Sequence, residues 1–289
     1  MTEALDDLLA LLDIEPIEVN IFRGANTDED RQRVFGGQVA AQALVAAGRT
    51  VERGRVHSLH SYFLRPGDPS LPILYEVDRI RDGRSFITRR VVAIQHGRAI
   101  FNLQCAFHIE EEGLTHQFPM PDVPAPESLP TVEERLEPYR DQMEGWFFDR
   151  PRPIDQRFIG ELPWLRKGAA EERHQRLWLR TDGKMPDDPL MHSAVMAYAS
   201  DMTLYNSILA PHQIRWEDEH FMGASLDHCM WFHRPFRTDE WLLFDQDSPT
   251  AFGARGVARG LLYTECGELA MSFVQEGLIR IRSSERGEG

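Results

Sequence analysis

No stretch of the 289 residues approaches the roughly 18 to 20 uninterrupted apolar residues that cross a bilayer, and the opening MTEALDDLLALLDIEP carries acidic residues where a secretory signal has basic ones. The expectation is therefore a cytoplasmic chain with no membrane partner. Cysteine is scarce: Cys105, Cys229 and Cys266 are odd in number and show no CxxC spacing, which suits a reducing compartment, argues against a structural zinc site and leads us to expect three buried thiols. Lysine is nearly absent, with only Lys167 and Lys184, so almost every cation is an arginine. Basic residues are outnumbered 46 to 32, a net charge of −14, and such a surface lacks the phosphate-neutralising stripe on which DNA or RNA binding rests. Arginine forks can still pair with a few carboxylates or phosphates, so an anionic small ligand remains compatible with the composition.

What is present is the composition of a folded protein, 42% hydrophobic and 27% charged. Leu5, Leu8, Leu9 and Leu12 recur at helical spacing after Thr2, and a strand-like IEVNIF follows. VFGGQVAAQALVAAG, residues 34 to 48, is an apolar run without a charge, opened by two glycines and rich in small residues, and it predicts a helix packed on most of its surface. Strand-like segments near 56 to 64, 73 to 81, 86 to 96 and 98 to 107 come next, separated by Arg-Pro-Gly-Asp, Asp-Gly and His-Gly turns. Between Glu110 and Pro130 five prolines mark an extended connector, followed by a short helix near 132 to 143. The order then repeats: a strand HQRLWLRT, a second apolar helix over 190 to 210, and strands near 225 to 233, 241 to 247, 252 to 264 and 268 to 281.

Local sequence repeats with it. Tyr62-Phe63-Leu64-Arg65-Pro66 corresponds to Trp231-Phe232-His233-Arg234-Pro235, and His96-Gly97 falls under Cys266-Gly267. A tandem duplication accounts for this. One long apolar helix wrapped by an antiparallel sheet is the hotdog architecture, so the fold class expected is α+β, a double hotdog with one continuous sheet. Its units are residues 1–111, a linker with a short helix over 112–150, and residues 151–289.

Three side chains stand out in the second half. Asp201 is the one formal charge within residues 191 to 210, where an unpaired carboxylate costs several kcal/mol to bury. It is either a structural carboxylate that meets a loop or an arginine, or a general base whose pKa burial sets. The first-half helix has no Asp or Glu between Arg31 and Val51, and this asymmetry favours the second reading. Ser225 opens the strand SLDHCMWFHRP, opposite Val56 of the first half, where most serines only satisfy backbone groups. Gln275 alternates onto one face with Met271, Phe273 and Ile279, an amide that needs partners among apolar neighbours.

FRG at 22 to 24, VFGGQ at 34 to 38, HSLHSYFLRPGD at 57 to 68, YASD at 198 to 201, LDHCMWFHRPF at 226 to 236, EWLLF at 240 to 244 and VQEG at 274 to 277 resemble the type II, TesB-like acyl-CoA thioesterases over nearly the whole chain. The resemblance implies a double hotdog that hydrolyses acyl-CoA of medium to long chain to free acid and CoA without a cofactor or metal. It implies Asp201, Ser225 and Gln275 as the active-site trio: Asp201 deprotonates a water that Ser225 and Gln275 orient. It leaves the oxyanion donors unidentified, and a homo-oligomer, dimer or tetramer, is expected.

Other chemistries fit less well. Gly223-Ala-Ser225-Leu-Asp227 lacks the last glycine of a nucleophile elbow and precedes a strand. Hotdog enoyl-CoA hydratases need an aspartate and a histidine five residues apart, and position 206 is asparagine. A non-catalytic acyl-CoA-binding module is the remaining rival. His57, His60, His228 and His233 read as hydrogen-bonded sheet residues, with His57 or His60 able to support a nearby site. His228, three residues along the strand from Ser225, is expected on the opposite face.

Overall fold

The computed structural model describes residues 2–27, 32–143, 148, 152–165, 173–212, 214–216 and 218–281. Arg31, Lys167 and the chain beyond Ile281, all within spans considered above, lie outside them. Helices α1 (Glu3–Leu12) and α2 (Gly36–Gly48) and strands β1 (Glu15–Glu18), β2 (Ile21–Gly24), β3 (Arg55–Phe63), β4 (Ile73–Asp82), β5 (Phe86–Gln95) and β6 (Arg98–His108) form the first half. Short helices α3 (Val132–Leu136) and α4 (Arg140–Met143) follow the linker. The second half has β7 (Ile154–Ile159), β8 (His174–Thr181), α5 (Pro189–Ser200), α6 (Asn206–Leu209), β9 (Phe221–Ser225), β10 (Asp227–Phe232), β11 (Leu242–Phe252), β12 (Arg255–Thr264) and β13 (Leu269–Ile281).

All described strands join one antiparallel sheet in the order β1-β2-β4-β5-β6-β3-β10-β13-β12-β11-β8-β7, with β9 on β13. The halves fuse where β3 pairs with β10, Leu59 opposite Met230. This is the expected double hotdog, one sheet wrapped around two helices. Tight turns close its hairpins: His96 and Gly97 both have positive φ between β5 and β6, as do Gly253 and Ala254 between β11 and β12, the conformation that matches strand twist.

The two long helices lie against each other inside the sheet, antiparallel. A Cβ on Gly37, near the start of α2, would sit 2.6 Å from the carbonyl of Tyr198 near the end of α5, and one on Gly48, at the end of α2, would sit 2.5 Å from Leu190 at the start of α5. Alanine and glycine along α2 are what let the axes approach so closely. The apolar sheet face closes over both helices in one continuous core.

The linker has its own packing role. Met120, Val123 and Leu129 cover a second apolar cluster, Trp178, Trp241, Leu243 and Tyr263. Trp178 Nε1 donates to the Pro124 carbonyl at 2.9 Å, and Trp241 Nε1 donates to Glu127 at 2.8 Å. The proline-rich stretch is thus an extended strap that satisfies the two indole donors, one with the Pro124 carbonyl and one with the Glu127 carboxylate.

Several expectations need correction, the first being the strand IEVNIF, which is not one strand but spans the turn of the β1–β2 hairpin, with Asn20 at positive φ. The helix expected over 190 to 210 ends at Ser200, and just beyond it two sheet amides hold Thr203: Gln246 Nε2 donates to its hydroxyl at 3.0 Å and Gln175 Nε2 to its carbonyl at 3.3 Å. The chain passes through turns closed by three-residue bonds, such as Met202 N–H to Ala199 at 3.1 Å, before α6. The strand expected over 225 to 233 is two strands, β9 and β10. Strand β7, unassigned in the sequence reading, pairs with β8. Of the three cysteines only Cys105 is buried; Cys229 is half-buried and Cys266 is exposed in the β12–β13 turn.

A buried cation anchors the first half. Arg89 on β5, 1% exposed, donates from Nε to the Thr50 hydroxyl at 2.8 Å and from its terminal nitrogen to Asp82 at 2.5 Å, tying the end of α2 to the sheet. Arg89→Ala would leave these acceptors and a void, and we expect a loss of about 2–4 kcal/mol in urea unfolding. A variant within 0.5 kcal/mol or so of the parent would show the tie to be dispensable.

Candidate active site

The break after Ser200 is what shapes the site. Asp201 is not mid-helix but the residue that ends α5, with φ −76° and ψ −8°, and its side chain is 6% exposed. It lies over the start of α2, where a Cβ on Gly36 would come within 2.9 Å of Asp201 Oδ2. Only glycine leaves room there for the carboxylate. Phe35, the residue before α2, offers no capping side chain, so the first backbone N–H groups of that helix are available to an anion. The Gly37 N–H donates to Asp201.

Gln275 on β13 is fully buried. Its Nε2 donates to Asp201 Oδ1 at 2.6 Å and to Ser225 Oγ at 3.1 Å. Both are acceptors toward it, which fixes the orientation of the amide. Gln275 Oε1 has no hydrogen-bond partner among the described residues. The structure therefore brings Asp201, Ser225 and Gln275 into one cluster contributed by three elements: the end of α5, the end of β9 and the middle of β13.

His228 joins them, against expectation. Its ring is 3.4 Å from Gln275 Nε2 through Nδ1 and 3.4 Å from Ser200 Oγ through Nε2, and 3.8 Å from Asp201. The reason is a one-residue bulge at Leu226. β9 pairs Ser225 with Gly277, while β10 pairs Cys229 with Val274, so the register slips between them. An inserted residue returns position 228 to the face of position 225. Burial pushes the His228 pKa down to about 3. The ring is neutral, and its closeness to Asp201 is not an ion pair. Nothing in the sequence marks the bulge, which is why this neighbour was missed.

The other histidines lie elsewhere. His60 is on the outer sheet face, edge-on to Trp231 at 5.2 Å, and His57 and His233 line a second cavity at the opposite helix ends. Asn206, at the hydratase position, accepts from Trp216 Nε1 at 3.0 Å, a packing role. Among the described residues no group of three or more His, Cys, Asp or Glu is arranged to hold a metal.

Asp201 and Ser225 open onto a cavity of about 640 Å³. Val39, Phe63, Ile100 and Phe101 give it apolar walls, and Arg33 and Arg65 are its cations. Burial raises the Asp201 pKa from 3.8 to about 6, against the opposing pull of hydrogen bonds from Gln275, Gly37 and Ser225 and of the Arg33 charge. A partly dry carboxylate with a pKa near neutrality, held beside a hydroxyl and an amide at the wall of an apolar cavity, can take a proton from a water molecule.

The sequence relationships agree with this geometry. Residues 27–108 match the family model for the acyl-CoA thioesterase N-terminal domain, and residues 149–278 match that for acyl-CoA thioesterase. Acyl-coenzyme A thioesterase 8 of Homo sapiens is 42% identical over 285 residues, 94% of this chain and 88% of its own. The chain belongs to the acyl-CoA thioesterase family. Within that family, acyl-CoA thioesterase 2 of Haemophilus influenzae is 37% identical across 97% of this chain and 99% of its own. The crystal structure of the acyl-CoA thioesterase II TesB2 from Mycobacterium marinum superimposes with a TM-score of 0.79 at 43% identity, covering 96% of this chain and all of that one.

The raised pKa has a consequence for stability. Below the unfolded value of 3.8 the Asp201 carboxyl is protonated in both states and contributes no penalty; the cost of burying its charge grows as pH rises and is complete above about 6. Asp201→Asn keeps the volume and an acceptor for Gln275. At pH 8 it should therefore be more stable than the parent, by on the order of 1–3 kcal/mol, and the gain should vanish near pH 4. A less stable variant at pH 8 would contradict the account of burial.

Proposed function

We propose that the protein hydrolyses fatty acyl-CoA of medium to long chain to free acid and CoA, with Asp201 as general base. The observation that carries the reading is the joint hold of Gln275 Nε2 on Asp201 and Ser225 beside an apolar cavity. The acyl chain enters among Val39, Phe63, Ile100 and Phe101, while Arg33 and Arg65 meet CoA phosphates. A cavity of about 640 Å³ falls in the ~300–1,000 Å³ range of small-molecule sites and has room for a long alkyl chain.

A water molecule bound between Asp201 and Ser225 attacks the thioester carbonyl as its proton passes to Asp201. The oxyanion forms against the start of α2, where the Gly36 N–H and the helix dipole stabilise it. Collapse breaks the carbon–sulfur bond, and the CoA thiolate recovers the proton from Asp201. Ser225 positions the water instead of attacking: its oxygen already accepts from Gln275, and neutral His228, with its Nδ1 toward Gln275, is no base for it. The remaining expectations, a cytosolic setting and a homo-oligomer, are supported by the free thiols and by the exposed Tyr62, Leu74 and Ile80 of the first half.

Initial rates of thiol release test this. kcat/KM should rise with pH along one acid limb centred at about 6, with no contribution from His228. Asp201→Asn should cost ~10²- to 10⁴-fold in kcat, and Ser225→Thr should keep most of the activity that Ser225→Ala loses. An acyl group found on Ser225 by rapid-quench mass spectrometry would overturn the water mechanism, and a folded Asp201→Asn protein with more than about a third of the parent rate would overturn the base.

A further inference from the structure

The duplication that builds the catalytic cavity builds a second one at the other end of the helix pair, about 590 Å³ in volume. Its walls correspond to those of the first element by element. The end of α2 at Gly48 stands where the end of α5 at Asp201 stands. The start of α5, Asp187 to Leu190, replaces the start of α2. The Phe232–Arg237 turn replaces the Phe63–Gly67 turn, and Arg55 to His57 replaces Ala224 to Leu226. The strand bulge recurs too: β3 slips register between Val56 and Ser58 as the chain does at Leu226, which swings His57 toward the cavity.

The catalytic groups are gone. Val56 occupies the place of Ser225, buried Cys105 that of Gln275, and Gly48, with Leu190 against it, that of Asp201 against Gly36. What remains is a cavity of mixed lining, with Val51, Val56, Phe107, Leu190 and Phe236 in its walls and Glu110, Asp187, Asp188, Arg55, Arg234 and Arg237 among its charged residues, and a set of histidine ring nitrogens without hydrogen-bond partners among the described residues. His192 is 4% exposed. Its Nδ1 accepts from the Thr238 backbone N–H at 3.0 Å, so its proton is on Nε2, which has no hydrogen-bond partner among the described residues. Nε2 of His57 and of His108 also lack hydrogen-bond partners, although Glu111 lies 3.7 Å from the latter. All three histidines with a buried ring nitrogen that lacks a hydrogen bond among the described residues line this cavity. A donor that is buried costs about 1–3 kcal/mol unless an acceptor meets it.

We propose that this second cavity binds an acyl chain through its carbonyl oxygen without hydrolysing it. The acceptor oxygen takes the His192 Nε2–H, and the chain lies among Val51, Val56 and Phe107. Arg234, the counterpart of Arg65, stands in the wall where a CoA moiety would leave. An acyl-CoA and a released fatty acid share the chemistry required, a hydrocarbon chain ending in an acceptor oxygen. The ligand class rests on the acyl-CoA reading of the first cavity; the existence of a second site does not.

Calorimetric titration of the full-length wild-type chain with S-2-oxotridecyl-CoA tests this. That analogue keeps a carbonyl oxygen but separates it from sulfur by a methylene, so it cannot be hydrolysed. We expect about two equivalents per chain, and about one for Val51→Trp, whose indole fills the second cavity while dodecanoyl-CoA hydrolysis stays within about twofold of the parent. Val51→Phe serves if the tryptophan variant does not fold. Dodecanoate titrated alone distinguishes the sources: saturation of the site that Val51→Trp removes identifies the free acid as sufficient, and failure to do so identifies the thioester as the occupant. One equivalent on the wild-type chain overturns the proposal, as does a second equivalent that survives both Val51 variants or that CoA alone fills. Hydrolysis measured on the same preparation keeps the readings separate: an inactive chain with two equivalents defeats the function proposed for the first cavity and leaves the second site standing.

Discussion

The site depends on one contact, the meeting of the end of α5 with the beginning of α2. An ionised Asp201 can be held in a dry interior only if several donors face it, and these come from both halves: the Gly37 N–H from the first, Gln275 and Ser225 from the second. Gly36 has to lack a side chain, or the carboxylate could not approach the helix start. The antiparallel packing of two helices rich in small residues therefore assembles the cluster around Asp201 as well as being a packing solution. Neither half alone holds both the carboxylate and the helix start that faces it, which gives a physical reason for the two units to share one sheet through β3 and β10.

Within that arrangement the balance of effects on Asp201 is finely set. Burial raises the carboxyl, and the hydrogen bonds from Gln275, Gly37 and Ser225 together with the Arg33 charge pull it back down. Together they leave it near 6, where it is mostly ionised at pH 7 yet still basic enough to take a proton from water. Gln275 contributes twice, lowering the carboxyl and holding the serine, and it does so from a fully buried position that keeps it out of contact with bulk water. Neutral His228 stands beside it as filler with a hydrogen-bonding edge. A protonated ring there would compete with the amide for Asp201.

Much of this was legible in the residues. The meander of β3 to β6 followed from alternation and turn signals within one or two residues, because half-buried hairpins with glycine turns have strong local signatures. Asp201 stood out as a lone charge and Gln275 as an amide among apolar neighbours, whereas Ser225 and the grouping of the three came only from the resemblance to the TesB-like thioesterases. What sequence reasoning missed depended on contacts between distant elements. Beyond the end of α5, Gln175 and Gln246 hold Thr203 from the sheet, and the local apolar pattern continues through the break as if the helix did. The bulge at Leu226 is visible only as a disagreement between two strand registers, so His228 was placed on the wrong face by sound period-two reasoning. β7 escaped because IDQRFI is short and follows a proline-rich stretch.

The asymmetry between the halves extends beyond the loss of catalytic groups. After a duplication, a redundant cavity is under no chemical constraint, and the least costly outcome in stability is to fill it with side chains, since packed apolar volume stabilises and a void does not. Here Val56, Cys105 and Gly48 stand where the first cavity has Ser225, Gln275 and Asp201, yet a cavity of about 590 Å³ persists, lined by histidines whose ring nitrogens have no hydrogen-bond partner among the described residues. The corresponding position in the active cavity shows the contrast: His57 occupies the place of Leu226, so a polar ring stands where the working site has an apolar side chain. A half-buried imidazole whose Nε2 has no hydrogen-bond partner among the described residues is less favourable for folding there than a leucine, and its presence is accounted for when a polar group enters.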